Sequence, residues 1–244
     1  MGDLKRQRLD VLVHQRGLAE SRHRAQALIR SGCVLVSDTV CDKPGVRFDV
    51  NCDLRLRNAP LKYVSRGGIK LEGALSTFDV DPADLICADL GASTGGFTDC
   101  LLQKGAKTVY AVDVGYGQLA WKLRQDSRVV VMERTNARHL TSLPHPPQLI
   151  VGDLSFISLH LIIPAIIRIA ADSAQAILLI KPQFEVGPGH AKGGVVKDPK
   201  RRQEAIDQVC LAAKESGAIV LGTVASSLPG AKKGNVEELV HLQL

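Results

Sequence analysis

Four charged side chains stand beside apolar or glycine-rich sequence: Lys70, Asp153, Lys181 and Glu237. Asp153 follows the run Leu149-Ile150-Val151-Gly152, and Lys181 follows Ala176-Ile177-Leu178-Leu179-Ile180. Lys70 lies in Ser65-Arg66-Gly67-Gly68-Ile69-Lys70-Leu71, and Glu237 follows Gly234-Asn235-Val236. Ammonium and carboxylate groups gathered at one point alter each other's proton affinity, which is how a protein holds or moves a proton near neutral pH. A single strand-end charge is often only solvated. Two such ends aimed into one cleft point to chemistry.

A second constellation is the string Asp89-Leu90-Gly91-Ala92-Ser93-Thr94-Gly95-Gly96-Phe97. Small residues allow the backbone to turn sharply and lie against a ligand before a helix begins. Asp113 comes 22 residues after Gly91, at the end of the next apolar run, where a carboxylate can accept hydrogen bonds from ribose hydroxyls. The spacing is G-x-x-x-G-G, which is neither the dinucleotide fingerprint nor a phosphate-binding P-loop.

These residues need a scaffold, and the hydrophobic pattern supplies one. Strands are expected at Leu85–Leu90, Thr108–Val114, Val129–Met132, Leu149–Gly152, Ala176–Ile180, Ile219–Val224 and Val236–Leu242. Helices are expected at Phe97–Lys104, Leu119–Gln125, Leu159–Ala170 and Lys200–Ser216. An earlier helix, with Leu71, Leu75 and Phe78 on its apolar face, has Ser65 as its expected cap. Alternating strands and helices predict an α/β fold with a doubly wound, mostly parallel seven-stranded sheet, whose ligands bind beyond the carboxyl ends of the strands.

The residues before this body are different. Of 31 Lys and Arg and 25 Asp and Glu in the 244-residue chain, residues 1–70 hold 14 and 7, a net +7. The remainder holds 17 and 18, a net −1. Leu9, Leu12 and Val13 mark a short helix ended by Gly17. Ser21 is placed to cap a second helix, with Ala25, Leu28 and Ile29 buried and Gly32 past its end. Short strands follow, giving a small α+β domain at 1–60, a linker and helix start at 61–69, and the large domain at 70–244. Arginine forks suit phosphate, so Arg6, Arg8, Arg22, Arg24, Arg30 and Arg66 are the expected contacts to nucleic acid.

Several of these strings resemble known families. SRHRAQALIRSGCVLVSD resembles the small RNA-binding domain named after ribosomal protein S4, and DLGASTGGFT resembles the first motif of S-adenosylmethionine-dependent methyltransferases. SRGGIKLEGAL, DLGASTGGFT, AVDVGYGQLAWKLR, ERTNAR, DLSFISL, LIKPQFE and GN-E, in this order, resemble the TlyA family, which joins the S4-type domain to an FtsJ-like methyltransferase. The resemblance implies methyl transfer to a ribose 2′-hydroxyl, of cytidine, in ribosomal RNA or ribosomal subunits. It implies S-adenosylmethionine held by Asp89, Gly91, Ala92, Ser93, Thr94, Gly95, Gly96, Phe97, Asp113, Val114, Gly115, Asn136 and Asp153. It further implies a catalytic tetrad of Lys70, Asp153, Lys181 and Glu237, with Lys181 as base. Glu238, beside Glu237, departs from the family pattern, as does serine in the loop Ser226-Ser227-Leu228-Pro229-Gly230. The glycine-rich loop 187–194 is read either as a closing flap or as plain surface loop.

Six scattered cysteines without a CxxC pair argue against a disulfide framework or zinc site, so no metal is expected. The charged start and the interruption of Leu161–Ala171 by Pro164 and Arg168 predict neither a secretion signal nor a membrane span, and a cytoplasmic setting. Two other readings stay open: a non-catalytic RNA-binding or assembly factor, and a membrane-lytic haemolysin, the name under which the family was first described.

Overall fold

The computed structural model describes residues 6–37, 39–57, 62–187, 190–191, 193–228, 230 and 235–244. Pro188, Gly189 and Lys192 of the glycine-rich loop, Pro229, and Gly234 lie outside the described residues. The chain divides into two compact units, Met1–Leu61 and Lys62–Leu244.

In the first unit, strand β1 (Arg6–Arg8) leads directly into helix α1 (Leu9–Gln15), followed by α2 (Arg22–Arg30), β2 (Val34–Val36), β3 (Thr39–Val40), β4 (Arg47–Asp49) and β5 (Leu54–Leu56). Strand β1 pairs with β4, and β2 lies between β3 and β5, all antiparallel. Ser21 Oγ accepts from the Arg24 amide at 3.1 Å, the expected cap of α2. Leu9, Leu12, Val13, Ala25, Ile29, Val34 and Val36 make the core. One charge is buried with them. Asp10 accepts from Arg8 at 3.0 and 3.2 Å, from Arg22 at 3.1 Å and from Gln26 at 2.8 Å. These donors hold its carboxyl well below the ordinary carboxylate range. Arg8 and Arg22, expected to face phosphate, therefore also hold the domain together, while Arg6, Arg24 and Arg30 are exposed.

The second unit contains α3 (Gly67–Phe78), β6 (Ile86–Leu90), α4 (Gly96–Gln103), β7 (Thr108–Val112), α5 (Trp121–Arg124), β8 (Val129–Met132), β9 (Leu149–Gly152), α6 (Ile163–Ile169), β10 (Gln175–Ile180), α7 (Pro182–Glu185), α8 (Pro199–Glu215), β11 (Ile219–Ala225) and β12 (Glu238–Gln243). Seven strands form one sheet in the order β11-β12-β10-β9-β6-β7-β8. Strand β12 runs antiparallel to both neighbours and the other pairings are parallel. Strand order reverses between β6 and β9, which opens a crevice at their carboxyl ends.

Side chains alternate across this sheet. Leu149 and Val151 pack with Ile177 and Leu179 under α3 and α4, while Ile150 packs with Leu178 and Ile180 under α6 and α8. Each fully buried Leu or Ile contributes about 1.5–3 kcal/mol, so burial on both faces fixes the register on which the site depends.

Four expectations need correction. Ser65 does not cap α3: the cap position is Arg66, whose side chain makes no cap bond, and Ser65 instead packs against Gly96. The expected helix Leu159–Ala170 is a 3-10 turn, Leu159–Leu161, followed by α6, because Pro164 fits only the first turn of a new helix. The helix expected at Leu119–Gln125 is a single turn, and the strand expected to reach Val114 ends at Val112, leaving Val114 exposed.

Candidate active site

Beyond the carboxyl ends of β6, β7, β9 and β10 lies a cleft in two connected parts that share Gly91, Ser93, Asp153 and Ser155. The larger, about 470 Å³, is lined by Val112, Asp113, Val114, Asn136, Leu154 and Ile157 among others. The smaller, about 170 Å³, is lined by Asp89, Ala92, Thr94, Gly96, Phe97 and Lys181 together with Ser65 and Gly67.

The turn after β6 is built for close approach. Gly91 has φ +83°, and a Cβ there would come 3.0 Å from the Asp153 carbonyl oxygen. At Gly96 a Cβ would overlap the Ser65 hydroxyl, so the start of α4 can lie against α3 only with glycine there. Gly95 and Gly115, expected at the cofactor, line neither part of the cleft. Leu119 and Leu123 fill the space beside Gly95, and the Gly115 amide donates to Asp113 Oδ1 at 2.6 Å. Both shape the site from behind.

Two carboxylates face different parts of the cleft. Asp113 Oδ2 accepts from the Ser93 amide at 2.8 Å, so its two oxygens are oriented by backbone and each keeps a lone pair for a further donor. Asp89 is fully buried. Its Oδ2 accepts from the Thr98 amide at 2.9 Å and hydroxyl at 2.6 Å, while Oδ1 has no hydrogen-bond partner. Burial, with smaller contributions from Asp153 and Asp113, pushes its carboxyl up to about 7. An orphaned buried acceptor on the cleft wall is free to accept from a further donor. Asn136 lines the larger part and accepts from the Arg138 amide at 3.0 Å.

The four charged residues come together as two pairs. Asp153 and Lys181 leave the adjacent parallel strands β9 and β10, and Lys181 Nζ lies 2.6 Å from Asp153 Oδ1. Lys181 also donates to Ser155 Oγ at 2.7 Å, so its ammonium is held by two residues of the segment that follows β9. Lys70, in the first turn of α3, pairs with Glu237 just before β12, and the two are only 7% and 3% exposed. Burying either charge alone would be prohibitive, so each makes the other tolerable. Lys181 and Asp153 line the cleft; Lys70 and Glu237 are not among its described lining residues.

Residue types alone gave no sign of Gln118, Thr135, Ser155 or Phe156 as cleft residues. Phe156 has φ +64° and is 91% exposed, with its ring centroid 5.2 Å from that of Phe184. A bulky side chain in the left-handed region is strained, and such strain clusters at functional sites. Arg66 is exposed at the start of α3.

A seven-stranded sheet of this order, with a glycine turn after its first strand and an acidic residue after its second, defines a Rossmann-like methyltransferase domain. An FtsJ-like methyltransferase model matches residues 63–244, and an S4 domain model matches residues 7–51. The chain is 48% identical over 242 residues to YqxC of Bacillus subtilis, covering 98% of this chain and 86% of that protein. It is 46% identical over 243 residues to the 16S/23S rRNA (cytidine-2′-O)-methyltransferase TlyA of Mycobacterium tuberculosis, covering 98% and 90%. A solved Streptococcus thermophilus structure that bears the name hemolysin superposes with a TM-score of 0.75 at 43% identity, covering 99% of this chain and 89% of that one. The chain belongs to the TlyA family, in which an S4 domain precedes an FtsJ-like methyltransferase domain.

Proposed function

We propose that this chain methylates a ribose 2′-hydroxyl of ribosomal RNA, at cytidine, with S-adenosylmethionine as donor. The observation that carries the reading is the Asp153–Lys181 pair, set at the ends of adjacent strands in the same cleft as the glycine turn. The cleft fits the donor in its chemistry. Asp89 Oδ1 supplies an acceptor for an ammonium group, Asp113 supplies oriented acceptors for ribose hydroxyls, and Val114, Leu154 and Ile157 supply an apolar wall for a purine. When bound, S-adenosylmethionine supplies an electrophilic sulfonium methyl.

The chain's own groups then handle the hydroxyl. Lys181 Nζ takes its proton, with one N–H engaged by Ser155 Oγ and the resulting charge facing Asp153. Arginine could not serve there, because it stays protonated. The buried Lys70–Glu237 pair holds the first turn of α3 to the segment before β12 and so braces the cleft wall to which Ser65 and Gly67 belong. Phe156 offers an open aromatic face for an unpaired base at the cleft mouth. In the first unit, Arg6, Arg24 and Arg30 dock RNA phosphates, joined by the exposed sides of Arg8 and Arg22; in the second unit, Arg66 makes a phosphate contact of its own.

The test is transfer of a labelled methyl group from S-adenosylmethionine to separated ribosomal subunits, with the modified nucleotide mapped. Lys181→Ala is expected to abolish transfer while leaving donor affinity within about threefold. Full turnover by that variant would remove Lys181 as base.

A further inference from the structure

Two strings from the catalytic segments, DLSFISL and LIKPQFE, contain more than the aspartate and lysine used above. Their far ends also meet. Glu185, the last residue of α7, accepts from the Ser158 hydroxyl through Oε2 and from the Leu159 amide at 3.0 Å through Oε1. That amide opens the 3-10 turn Leu159–Leu161, where a first-turn N–H finds no acceptor within its own turn. Between this contact and the Asp153–Lys181 pair, the same two segments touch at Ser155–Lys181 and Phe156–Phe184. The segment leaving β9 and the segment leaving β10 are thus fastened residue by residue, from 153 against 181 to 159 against 185.

We infer that Glu185 is a positioning residue, whose carboxylate fastens the segment after β9 to α7 so that Asp153 and Lys181 enter the cleft as one unit. The inference rests on the assignment of Asp153 and Lys181 to the chemistry. Of all the fastenings, this one alone is made by a carboxylate to a backbone amide, so it fixes main chain and not only side chains. It also closes a stretch that carries the left-handed Phe156, a backbone that needs support from both sides. Burial pushes the Glu185 carboxyl above its ordinary value, as expected for a group enclosed between the two segments.

Glu185→Ala and Glu185→Gln in the full chain provide the test. Glu185→Ala is expected to lower kcat at least about tenfold, since misplacing reacting groups by a fraction of an ångström is costly. The donor Kd is expected to change less than kcat does, because Asp89 and Asp113 lie outside the loosened segment and only Leu154 and Ile157 of the apolar wall lie within it. Glu185→Gln keeps an oxygen for the Leu159 amide and is expected to recover most of the rate. Amide exchange at Leu159 should quicken about tenfold in the alanine variant and stay slow in the glutamine variant. If Glu185→Ala fails to fold, Ser158→Ala removes one of the two bonds on the carboxylate and is expected to give a smaller loss of kcat with faster exchange at Leu159; wild-type values of both would overturn the inference.

Wild-type kcat in Glu185→Ala would overturn the inference, as would a glutamine variant as slow as the alanine one. Lys181→Ala separates the two ideas. If it retains turnover, the assignment of the base falls, and exchange at Leu159 still reads the fastening directly. If it is inactive while Glu185→Ala turns over normally, only the positioning role falls.

Discussion

Asp89 makes a demand on pH that can be measured without RNA. Its carboxyl sits fully buried and is held at about 7 against an ordinary 3.8, a penalty on the ionised form of ~4 kcal/mol. The folded protein binds this proton more tightly than the unfolded chain does. On this account stability falls as pH rises from about 4 to about 7 and stays flat above. A ligand ammonium against the orphaned Oδ1 reverses the balance, because it requires the ionised form. Donor binding should therefore release close to half a proton at pH 7, and the Kd should weaken about tenfold for each pH step below 7, with a plateau above about 8. Calorimetric titration with S-adenosylmethionine between pH 5.5 and 8.5, in two buffers of different ionisation heat, measures both quantities. Asp89→Asn keeps an oxygen for Thr98 and should bind more weakly, without the pH dependence, while losing less stability between pH 5 and 8. A Kd that is flat from pH 6 to pH 8, or binding without proton release, would refute the reasoning.

Three further outcomes are expected. Glu237→Ala strands the buried Lys70 ammonium and should cost about 3–5 kcal/mol in denaturant unfolding, whereas Lys70→Met with Glu237→Leu should regain most of it. Asp10→Ala should lower the stability of the first unit by about 2–3 kcal/mol at pH 7, read by amide exchange in the full chain. Because its folded-state pKa is depressed, Asp10 contributes that stability above about pH 4 and loses it as pH falls further, so the mutant and wild type should converge in acid. Phe156→Ala should raise KM for RNA about tenfold, as expected for one lost stacking contact, with the donor Kd unchanged by calorimetry.

Strands were the most legible part of this chain. Val129–Met132 and Leu149–Gly152 are uninterrupted apolar runs ended by charge or glycine, and the structure places both at those residues. Asp153 and Lys181 were legible for the same reason, as charges that end such runs. The Asp10 cluster was not, because its partners come from β1 and α2 and only tertiary packing brings them to α1. Ser65 departs from the expected cap because serine before a helix carries that signal whatever packs on it, and the pattern holds no trace of the neighbouring α4 that claims its side chain. Phe156 gave no signal, since a lone aromatic in a string that also holds Leu154 and Ile157 reads as core, and only its backbone conformation turns the ring outward.

The position of β12 has a consequence for how the enzyme assembles. Strands β6, β7 and β9 with their turns can close around the donor using residues before Ile163. The Lys70–Glu237 pair spans 167 residues and forms only once β12 has entered between β10 and β11. Loop-closure entropy makes such a contact late and its loss early, so opening of that edge would leave a protein that still holds its donor with the cleft wall unbraced. Under the proposed function, donor affinity and turnover would depend on different parts of one sheet, and a lesion at its β11–β12 edge is expected to pass a binding test and fail an activity test.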